Sequence, residues 1–183
     1  MAASDRPRVS QAVSQEYRFR ADILCRAVFT ERAAIMAEDQ NKAVSRRIWE
    51  VFASGDLAEL DDLVADGAAY HDTQDPFGDQ RGPEHMRSLM GMYRQTFSNI
   101  RFDIRHQVAE GDFVCTMLEA QGDDTGGLMG QAPTGRHARI MLTVTDRMAD
   151  GKIAESWATW DTLGMLQQLG LVPAAAQQPT TSA

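Results

Sequence analysis

The sequence is poor in cysteine, and its two cysteines, Cys25 and Cys115, lie far apart in the chain. Neither belongs to a C-x-x-C or similar ligand spacing, and His85, His106 and His137 do not follow a metal-binding spacing either. These absences predict no metal site and no disulfide, and they favour a reducing, cytoplasmic location. We interpret His85 and His106 as surface or sheet-face residues, and His137 follows a loop that we expect to be exposed.

Long apolar runs and clusters of basic residues are also missing. No apolar stretch approaches the roughly 20 residues that cross a bilayer. The first residues lack the basic segment and apolar run of a secretory signal. The 18 Lys and Arg are scattered among 26 Asp and Glu, giving a formal net charge of −8, whereas a nucleic-acid surface needs clustered basic residues. We therefore expect neither a membrane nor a nucleic acid as partner.

What is present is the composition of an ordinary globular domain, 43% hydrophobic and 24% charged. We predict one domain over residues 38–172, a disordered tail over 173–183, and an extension over 1–37 that is partly disordered or helical. The sequence leaves more than one interpretation of this extension open. Phe19, Ile23 and Ala27 recur at helical spacing, and the arginines beside them also suit a helix on a membrane surface. The segment equally suits a frayed addition before a true start at Met36.

Helices precede strands along the predicted domain. An apolar stripe that includes Ile48 and Val51 marks a helix that stops at Gly55. Asp56 is predicted to cap a second, shorter helix, and Pro83 to open a third in its first turn. Strands are predicted over 68–71, 102–108, 113–121, 138–148 and 153–160, followed by a closing helix over 162–169. Helices followed by a meandering antiparallel sheet indicate an α+β fold.

Three segments in order carry a resemblance to a known family. They are AEGDFV at 109–114, GGLMGQAPTGR at 126–136 and RMADGKIAESWATWDTLGMLQQLG at 147–170. Over about 41–171 the chain resembles the SnoaL-like polyketide cyclase family of secondary metabolism. The resemblance implies a cone-shaped nuclear-transport-factor-2-like (cystatin-like) fold, in which N-terminal helices pack on a curved sheet around an apolar pocket. It also implies a homodimer across the outer face of the sheet.

The resemblance further implies a type of chemistry. The founding members close a polyketide ring by intramolecular aldol condensation, without a metal or an organic cofactor. Relatives on the same fold are isomerases, epoxide hydrolases or dehydratase-type lyases, or only bind a ligand. The founders' acid/base Asp on the last strand falls at Ala158 in this sequence, and their assisting His falls at Val144. Neither Ala nor Val can exchange a proton, so this chain either uses a different group or does no chemistry.

The closing hairpin predicts which side chains face the pocket. A three-residue loop at 149–151 would place Met148 opposite Lys152, Val144 opposite Ser156, and Leu142 opposite Ala158. Because strand side chains alternate between faces, the inner face would then carry Leu142, Val144, Asp146, Ala154, Ser156, Ala158 and Trp160. The outer face, which would be the dimer side, would carry Thr143, Thr145, Glu155, Trp157 and Thr159.

Two residues are predicted to replace the missing acid/base pair. Asp146 is a carboxylate on an apolar face, where burial raises a carboxyl pKa and suits it to proton transfer. The alternatives are that it is solvated near the hairpin end or paired with an Arg. His71 follows Tyr70 at the end of the first strand, where it is expected near the pocket mouth as a proton relay. The alternative is a structural His bonded to the loop 72–79.

Asp161 precedes the closing helix and is predicted to cap it. The residues expected to contact a substrate are Tyr70, Tyr93, Val144, Ser156, Ala158 and Trp160.

Two functions remain open. One is a cofactor-independent cyclase or isomerase that transfers protons on a small apolar carbonyl compound. The other is a ligand-binding or scaffold protein that has lost the chemistry. The fold alone does not choose between them.

Overall fold

The computed structural model describes residues 8–72, 76–78 and 80–173. The chain divides into two compact units, Met1–Ala37 and Glu38–Ala183. The first helix, α1, extends from Arg8 to Ser54, so the described residues of the first unit are helical. The large apolar side chains of Val28 and Phe29 in that unit are exposed. The predicted tail lies outside the described residues from position 174 onward. None of the described helices is long and apolar enough to cross a membrane.

In the second unit, a glycine explains where the α1 helix ends. The α1 helix stops at Gly55, which adopts a φ of 85° that favours glycine, and its N–H donates to the Val51 carbonyl at 2.8 Å. Asp56 stands at the predicted cap position, but its side chain makes no capping hydrogen bond. The helices that follow are α2, Leu60–Leu63, after a 3₁₀ turn over Leu57–Glu59; α3, Gly82–Thr96, with Pro83 in its first turn; and α4, Thr162–Leu169.

In the described part of the chain, five strands form one mixed sheet. They are β1 (Val64–His71), β2 (Phe97–Glu110), β3 (Phe113–Asp124), β4 (His137–Ala149) and β5 (Lys152–Trp160). Their order in the sheet is β1-β5-β4-β3-β2, where β1 runs parallel to β5 and every other neighbouring pair is antiparallel. The α+β arrangement of helices followed by a mainly antiparallel sheet is therefore confirmed.

The β4–β5 hairpin corrects the predicted register. The turn has two residues, Asp150 and Gly151, both with positive φ, which is the geometry of a type I′ hairpin turn. Val144 therefore lies opposite Ala158 and not opposite the predicted Ser156, which instead pairs with Asp146. The predicted pairing was wrong by an even number of residues, so Asp146, Ser156 and Ala158 keep the inner face.

One position on that inner face was predicted wrongly. The register shifts between Arg147 and Met148, where Met148 pairs with Ile153 and Arg147 with Glu155, so β5 holds one extra residue, Ala154. Such a β-bulge reverses the alternation of faces on one strand. Ile153 is therefore buried opposite Met148, where Lys152 had been expected, and Ile153 takes the inner face in place of Ala154.

The core lies between the helices and the inner face of the sheet. One cluster joins α1 to the turn end of the sheet and contains Ile48, Val51, Met90, Val114 and Met148, among others. A second packs α4 on β4 through Ile140, Met165 and Leu169. In a third, Leu118, Leu142 and Val144 pack against aromatic rings, and these rings form the wall of a cavity.

Candidate functional site

An apolar cavity opens between the helices and the inner face of the sheet. It encloses about 720 Å³ of non-protein space, its open mouth included. Of the described residues that line it, none has a charged side chain. Seven of these lining residues are aromatic: Trp49, Phe52, Tyr70, Tyr93, Phe97, Phe102 and Trp160. We call this space the main cavity. An apolar lining with a few polar groups is typical of sites for small organic molecules.

The aromatic wall of the main cavity is held by ring contacts between elements. Phe102 on β2 lies 4.7 Å from Phe52 and 5.1 Å from Trp49, both on α1, between ring centroids. Tyr93 on α3 meets Trp160 on β5 edge to face at 5.0 Å. Contacts of this kind are favourable in tilted or edge-on geometry, so the wall is built from four different elements of the fold.

A smaller recess lies beside the main cavity and contains the predicted carboxyl group. The recess, about 410 Å³ in volume, is lined by Asp146, Ser156 and Met90 among others. It shares Trp49, Phe52, Tyr70, Leu89 and Val144 with the main cavity. Asp146 therefore lies in the wall of a side pocket that adjoins the aromatic chamber.

Asp146 is buried, and the groups that contact its carboxyl oxygens are uncharged. Only 3% of the residue is exposed, the Ser45 hydroxyl donates to its Oδ2 at 2.7 Å, and the Ser156 hydroxyl donates to its Oδ1. Burial raises the pKa of the Asp146 carboxyl above its ordinary value, while the two hydroxyl bonds act in the opposite direction. The carboxyl group is thus not solvated, and no arginine in the described residues forms an ion pair with it.

The hydrogen bonds at Asp146 extend toward the surface. Ser45 Oγ lies 3.1 Å from Thr116 Oγ1 on β3, and Gln107 Nε2 on β2 donates to that same Thr116 oxygen at 3.0 Å. Arg46 on α1 then donates to Gln107 Oε1 at 3.1 Å. Ser45 and Thr116 are both fully buried. We call this series from Arg46 to Asp146 the polar chain.

His71 does not lie where the sequence predicted. Its Nε2 bonds to Glu155 Oε1 at 2.9 Å, and its ring stacks on Trp157 at 5.2 Å between centroids. Because Tyr70 lines both cavities and strand residues alternate, His71 faces the opposite side of the sheet. The expected position at the pocket mouth is therefore wrong. The alternative partner in the loop 72–79 falls in part on residues 73–75 and 79, which lie outside the described residues. The structure does not bring His71 and Asp146 together.

The other predicted contact residues lie on the cavities. Tyr70, Tyr93, Val144, Ala158 and Trp160 all line the main cavity. Val144 and Ala158 are paired across β4 and β5, so the two positions that the resemblance aligns with the founders' acid/base residues face this chamber as apolar side chains. Ser156 lines only the recess, because it lies one pair nearer the turn, opposite Asp146.

The structure also gives the positions of Asp161 and of the three remaining histidines. Asp161 caps α4 as predicted, accepting from the Gly164 N–H at 2.8 Å. His85 was expected at the surface but is buried on α3, with its ring 5.0 Å from Tyr70; the correction arises because it lies on the side of α3 that packs on β1. His106 and His137 are exposed. No group of three His, Cys, Asp or Glu residues in the described part of the chain can hold a metal ion.

Sequence reasoning missed the residues of α1 that complete the site. Ser45, Ile48, Trp49 and Phe52 follow the spacing i, i+3, i+4 and i+7, which places them on one face of a helix. Ser45 is thus a polar residue on an apolar stripe, which is the one signal in the sequence that could have identified it as a partner of a buried group. Thr116 gave no comparable signal, since threonine is common in strands.

Comparisons with known proteins agree with this architecture. The family model for SnoaL-like polyketide cyclase matches residues 42–169. A search of curated proteins gives no match. Among solved structures, IdmH from Streptomyces antibioticus, described as a candidate polyketide cyclase, is 31% identical with a TM-score of 0.63, and the alignment covers 72% of this chain and 99% of that one.

Two further structures share the fold at lower identity. TsrD from Streptomyces laurentii is 22% identical with a TM-score of 0.66, covering 73% of this chain and 97% of its own. AclR from Streptomyces galilaeus, described as a candidate hydroxylase, is 21% identical with a TM-score of 0.66, covering 76% and 87%. The chain belongs to the SnoaL-like polyketide cyclase family, and the predicted nuclear-transport-factor-2-like fold is confirmed.

Proposed function

We propose that this chain is a cofactor-independent acid/base enzyme of the cyclase or isomerase type. Its substrate is a small apolar carbonyl compound, polyketide-like in character, which binds in the main cavity. The observation that carries the proposal is the position of Asp146, the only carboxyl group among the described residues that line either cavity. A buried carboxyl group with a raised pKa is suited to exchange protons near neutral pH.

The reaction that this arrangement supports begins with proton abstraction. Asp146 takes a proton from the carbon beside the substrate carbonyl, leaving an enolate in the apolar chamber. In a cyclisation the enolate carbon then attacks a second carbonyl of the same molecule, and the resulting alkoxide is protonated. Tyr70 lines both cavities, so we assign its hydroxyl the role of donor to the carbonyl oxygen. Dehydration or epoxide opening would use the same carboxyl group on a different substrate.

We also propose that the chain acts as a homodimer in the cytoplasm, within secondary metabolism. The outer face of the sheet supports the dimer, because Trp157 and Phe113 lie 6.3 Å apart between ring centroids and are 37% and 42% exposed. Together with His71 they form an apolar patch, which on a soluble protein is typical of an interaction surface.

A second candidate function is a ligand-binding or scaffold protein without chemistry. The observation that favours it is that both carboxylate oxygens of Asp146 already accept hydrogen bonds within the protein. In this alternative Asp146 is a structural group that joins α1 to β5, and the main cavity binds an apolar molecule unchanged. The aromatic wall serves both functions equally well.

One assay separates these functions without knowledge of the natural substrate. The probe is 5-nitrobenzisoxazole, a flat neutral molecule. A base removes its C3 proton, the N–O bond breaks, and a coloured cyanophenolate forms. We expect wild-type protein to accelerate this elimination over free acetate. Asp146→Asn should reduce kcat by roughly 10²- to 10⁴-fold, the usual contribution of a positioned base.

The matched control is Asp161→Asn, which changes a carboxyl group outside both cavities and should leave kcat unchanged. An Asp146→Asn protein that keeps the full rate would overturn the assignment of the base. Wild-type protein that binds the probe in equilibrium dialysis and produces no acceleration would establish the non-catalytic alternative.

A further inference from the structure

The polar chain allows only certain placements of its hydrogen atoms. An arginine has donors and no acceptor, so the Gln107 atom that faces Arg46 is the amide oxygen. The Gln107 amide nitrogen must then donate to Thr116 Oγ1. Thr116 Oγ1 therefore accepts from Gln107. Within the polar chain, the Thr116 hydroxyl hydrogen can then donate to Ser45 Oγ, 3.1 Å away.

These constraints distinguish the two oxygens of Asp146. If Oδ2 carried a proton and donated it to Ser45, the Ser45 hydroxyl would have to donate back toward Thr116. The Thr116 hydroxyl would then lose its acceptor in the chain, although both residues are fully buried, and a buried unmade hydrogen bond is costly. A proton on Oδ1 creates no such conflict, because Ser156 can accept from it while Ser45 still donates to Oδ2.

The two oxygens also differ in access. Ser156, the partner of Oδ1, lines the recess. Ser45, the partner of Oδ2, is on the other side of the carboxyl group and is not among the described residues that line either cavity. The oxygen that is free to change its protonation state is thus also the oxygen on the side of the recess.

We infer that Ser45 and Thr116 are positioning residues that hold Oδ2 of Asp146 as a permanent acceptor, so that Oδ1, beside Ser156, is the atom that takes the substrate proton. The inference rests on the proposed function of Asp146 and adds a division of labour between its oxygens. It also assigns a task to Thr116, which has no contact with the substrate cavities.

The surroundings of Asp146 contain few other groups that titrate. Tyr70 on β1 lines the same recess, His85 on α3 lies next to Tyr70, and Arg46 on α1 is at the far end of the polar chain. Ser45 and Ser156 do not titrate in the relevant range. Removal of a donor to the charged form of a carboxyl group raises its pKa, so loss of either hydroxyl in the chain should make Asp146 ionise at a higher pH.

The experiment records kcat/KM for 5-nitrobenzisoxazole against pH in wild-type protein, Ser45→Ala and Thr116→Val. In both variants we expect the acid limb of the profile to move to higher pH. On that limb kcat/KM should fall roughly tenfold in Ser45→Ala, the usual value of one hydrogen bond to a charged group, and less in Thr116→Val, which acts through Ser45. On the alkaline plateau, where Asp146 is ionised in every variant, kcat/KM should differ from that of wild-type protein by much less than it does on the acid limb.

Two controls separate positioning from general damage. Thr116→Ser keeps the hydroxyl and should restore the wild-type profile. Ser54→Ala removes another hydroxyl from the same helix, one that donates to the Val51 carbonyl and accepts from the Asp56 N–H, and should not move the acid limb. A ¹³C NMR titration of the Asp146 carboxyl, assigned by its loss in Asp146→Asn, reports the same shift without any substrate.

The outcomes distinguish this inference from the proposed function. Full activity in Asp146→Asn overturns the proposed function, whatever the hydroxyl variants do. An inactive Asp146→Asn protein, together with an unmoved acid limb and an unmoved carboxyl titration in Thr116→Val, overturns the positioning role and leaves the base assignment intact. If Ser45→Ala does not fold, the comparison of Thr116→Val with Thr116→Ser decides the question alone.

Discussion

Val144 and Ala158 lie directly opposite each other on β4 and β5, and both face the main cavity. In the founding cyclases these positions carry the assisting His and the acid/base Asp. The next inner pair toward the turn is Asp146 and Ser156. The position that resembles the founders' acid and the base that we propose, Asp146, therefore lie one pair apart on the same face of the same hairpin, and Asp146 lines the recess instead of the main cavity.

A carboxyl group introduced at position 158 should lower the stability of the fold, because the main cavity is apolar there. We expect Ala158→Asp to lower the free energy of unfolding by at least about 1–3 kcal/mol, the cost of burying a polar group without a partner. The loss should grow as pH rises and the new carboxyl group must ionise. Urea unfolding at several pH values measures it. Ala158→Asn is the control, and its cost should not depend on pH.

Asp146 should make stability depend on pH in a defined direction. Its folded pKa is raised above the ordinary value of 3.8, so between these two values the folded chain holds a proton that the unfolded chain has lost. The contribution of Asp146 to stability is therefore fully present below 3.8 and declines as pH rises through the folded pKa. The difference in unfolding free energy between wild-type protein and Asp146→Asn should fall with increasing pH. A difference that rises with pH would contradict the raised pKa.

The dimer proposal predicts a change of mass on mutation of the outer face. Light scattering of wild-type protein should give twice the chain mass of 20.2 kDa. Trp157→Lys places a charge in the apolar patch beside Phe113 and His71 and should produce monomers with an unchanged melting temperature. Leu163→Lys, at an exposed apolar residue on α4, is the control and should remain dimeric. Wild-type protein at the mass of one chain would contradict the proposal.

The cap of α4 should contribute measurably to stability. The Asp161 side chain accepts from the Gly164 N–H, and loss of such a cap usually costs about 1 kcal/mol. We expect Asp161→Ala to lower the unfolding free energy by that amount and Asp161→Asn to have little effect, since Asn caps a helix almost as well. Equal losses in the two variants would show that the charge, and not the cap, is what stabilises the helix.

Local signals in the sequence predicted the elements well. The closing helix over 162–169, the stop at Gly55 and the opening of α3 at Pro83 depend on residues that act on their own backbone. The inner face of the hairpin was also predicted correctly for Asp146, because the alternation of a strand survives an even error in register.

Contacts between residues that are distant in the sequence could not be predicted from such local signals. The position of His71 depends on the parallel pairing of β1 with β5, where Tyr70 lies against Ser156 and His71 against Trp157. No turn connects these strands, so no local residue fixes which face His71 takes. Ser45 reaches Asp146 across 101 positions of sequence, and a single sequence carries no signal for such a contact beyond the oddity of a serine on an apolar stripe.

The β-bulge at Ala154 determines which face of the closing hairpin Ile153 and Ser156 take. On one side of it β5 must bury Ile153 against Met148, and on the other it must present Ser156 to Asp146. Odd spacing between two residues that face the same way is impossible on a regular strand, and only the bulge reconciles the two demands. The residue at position 154 is thus accommodated by the bulge and enters neither pair. Deletion of that one position would bring Ile153 and Ser156 to the even spacing of a regular strand, so the hairpin would lose its bulge and keep both pairs, whereas insertion of one residue beside it would put Ser156 and Ile153 out of register with Asp146 and Met148.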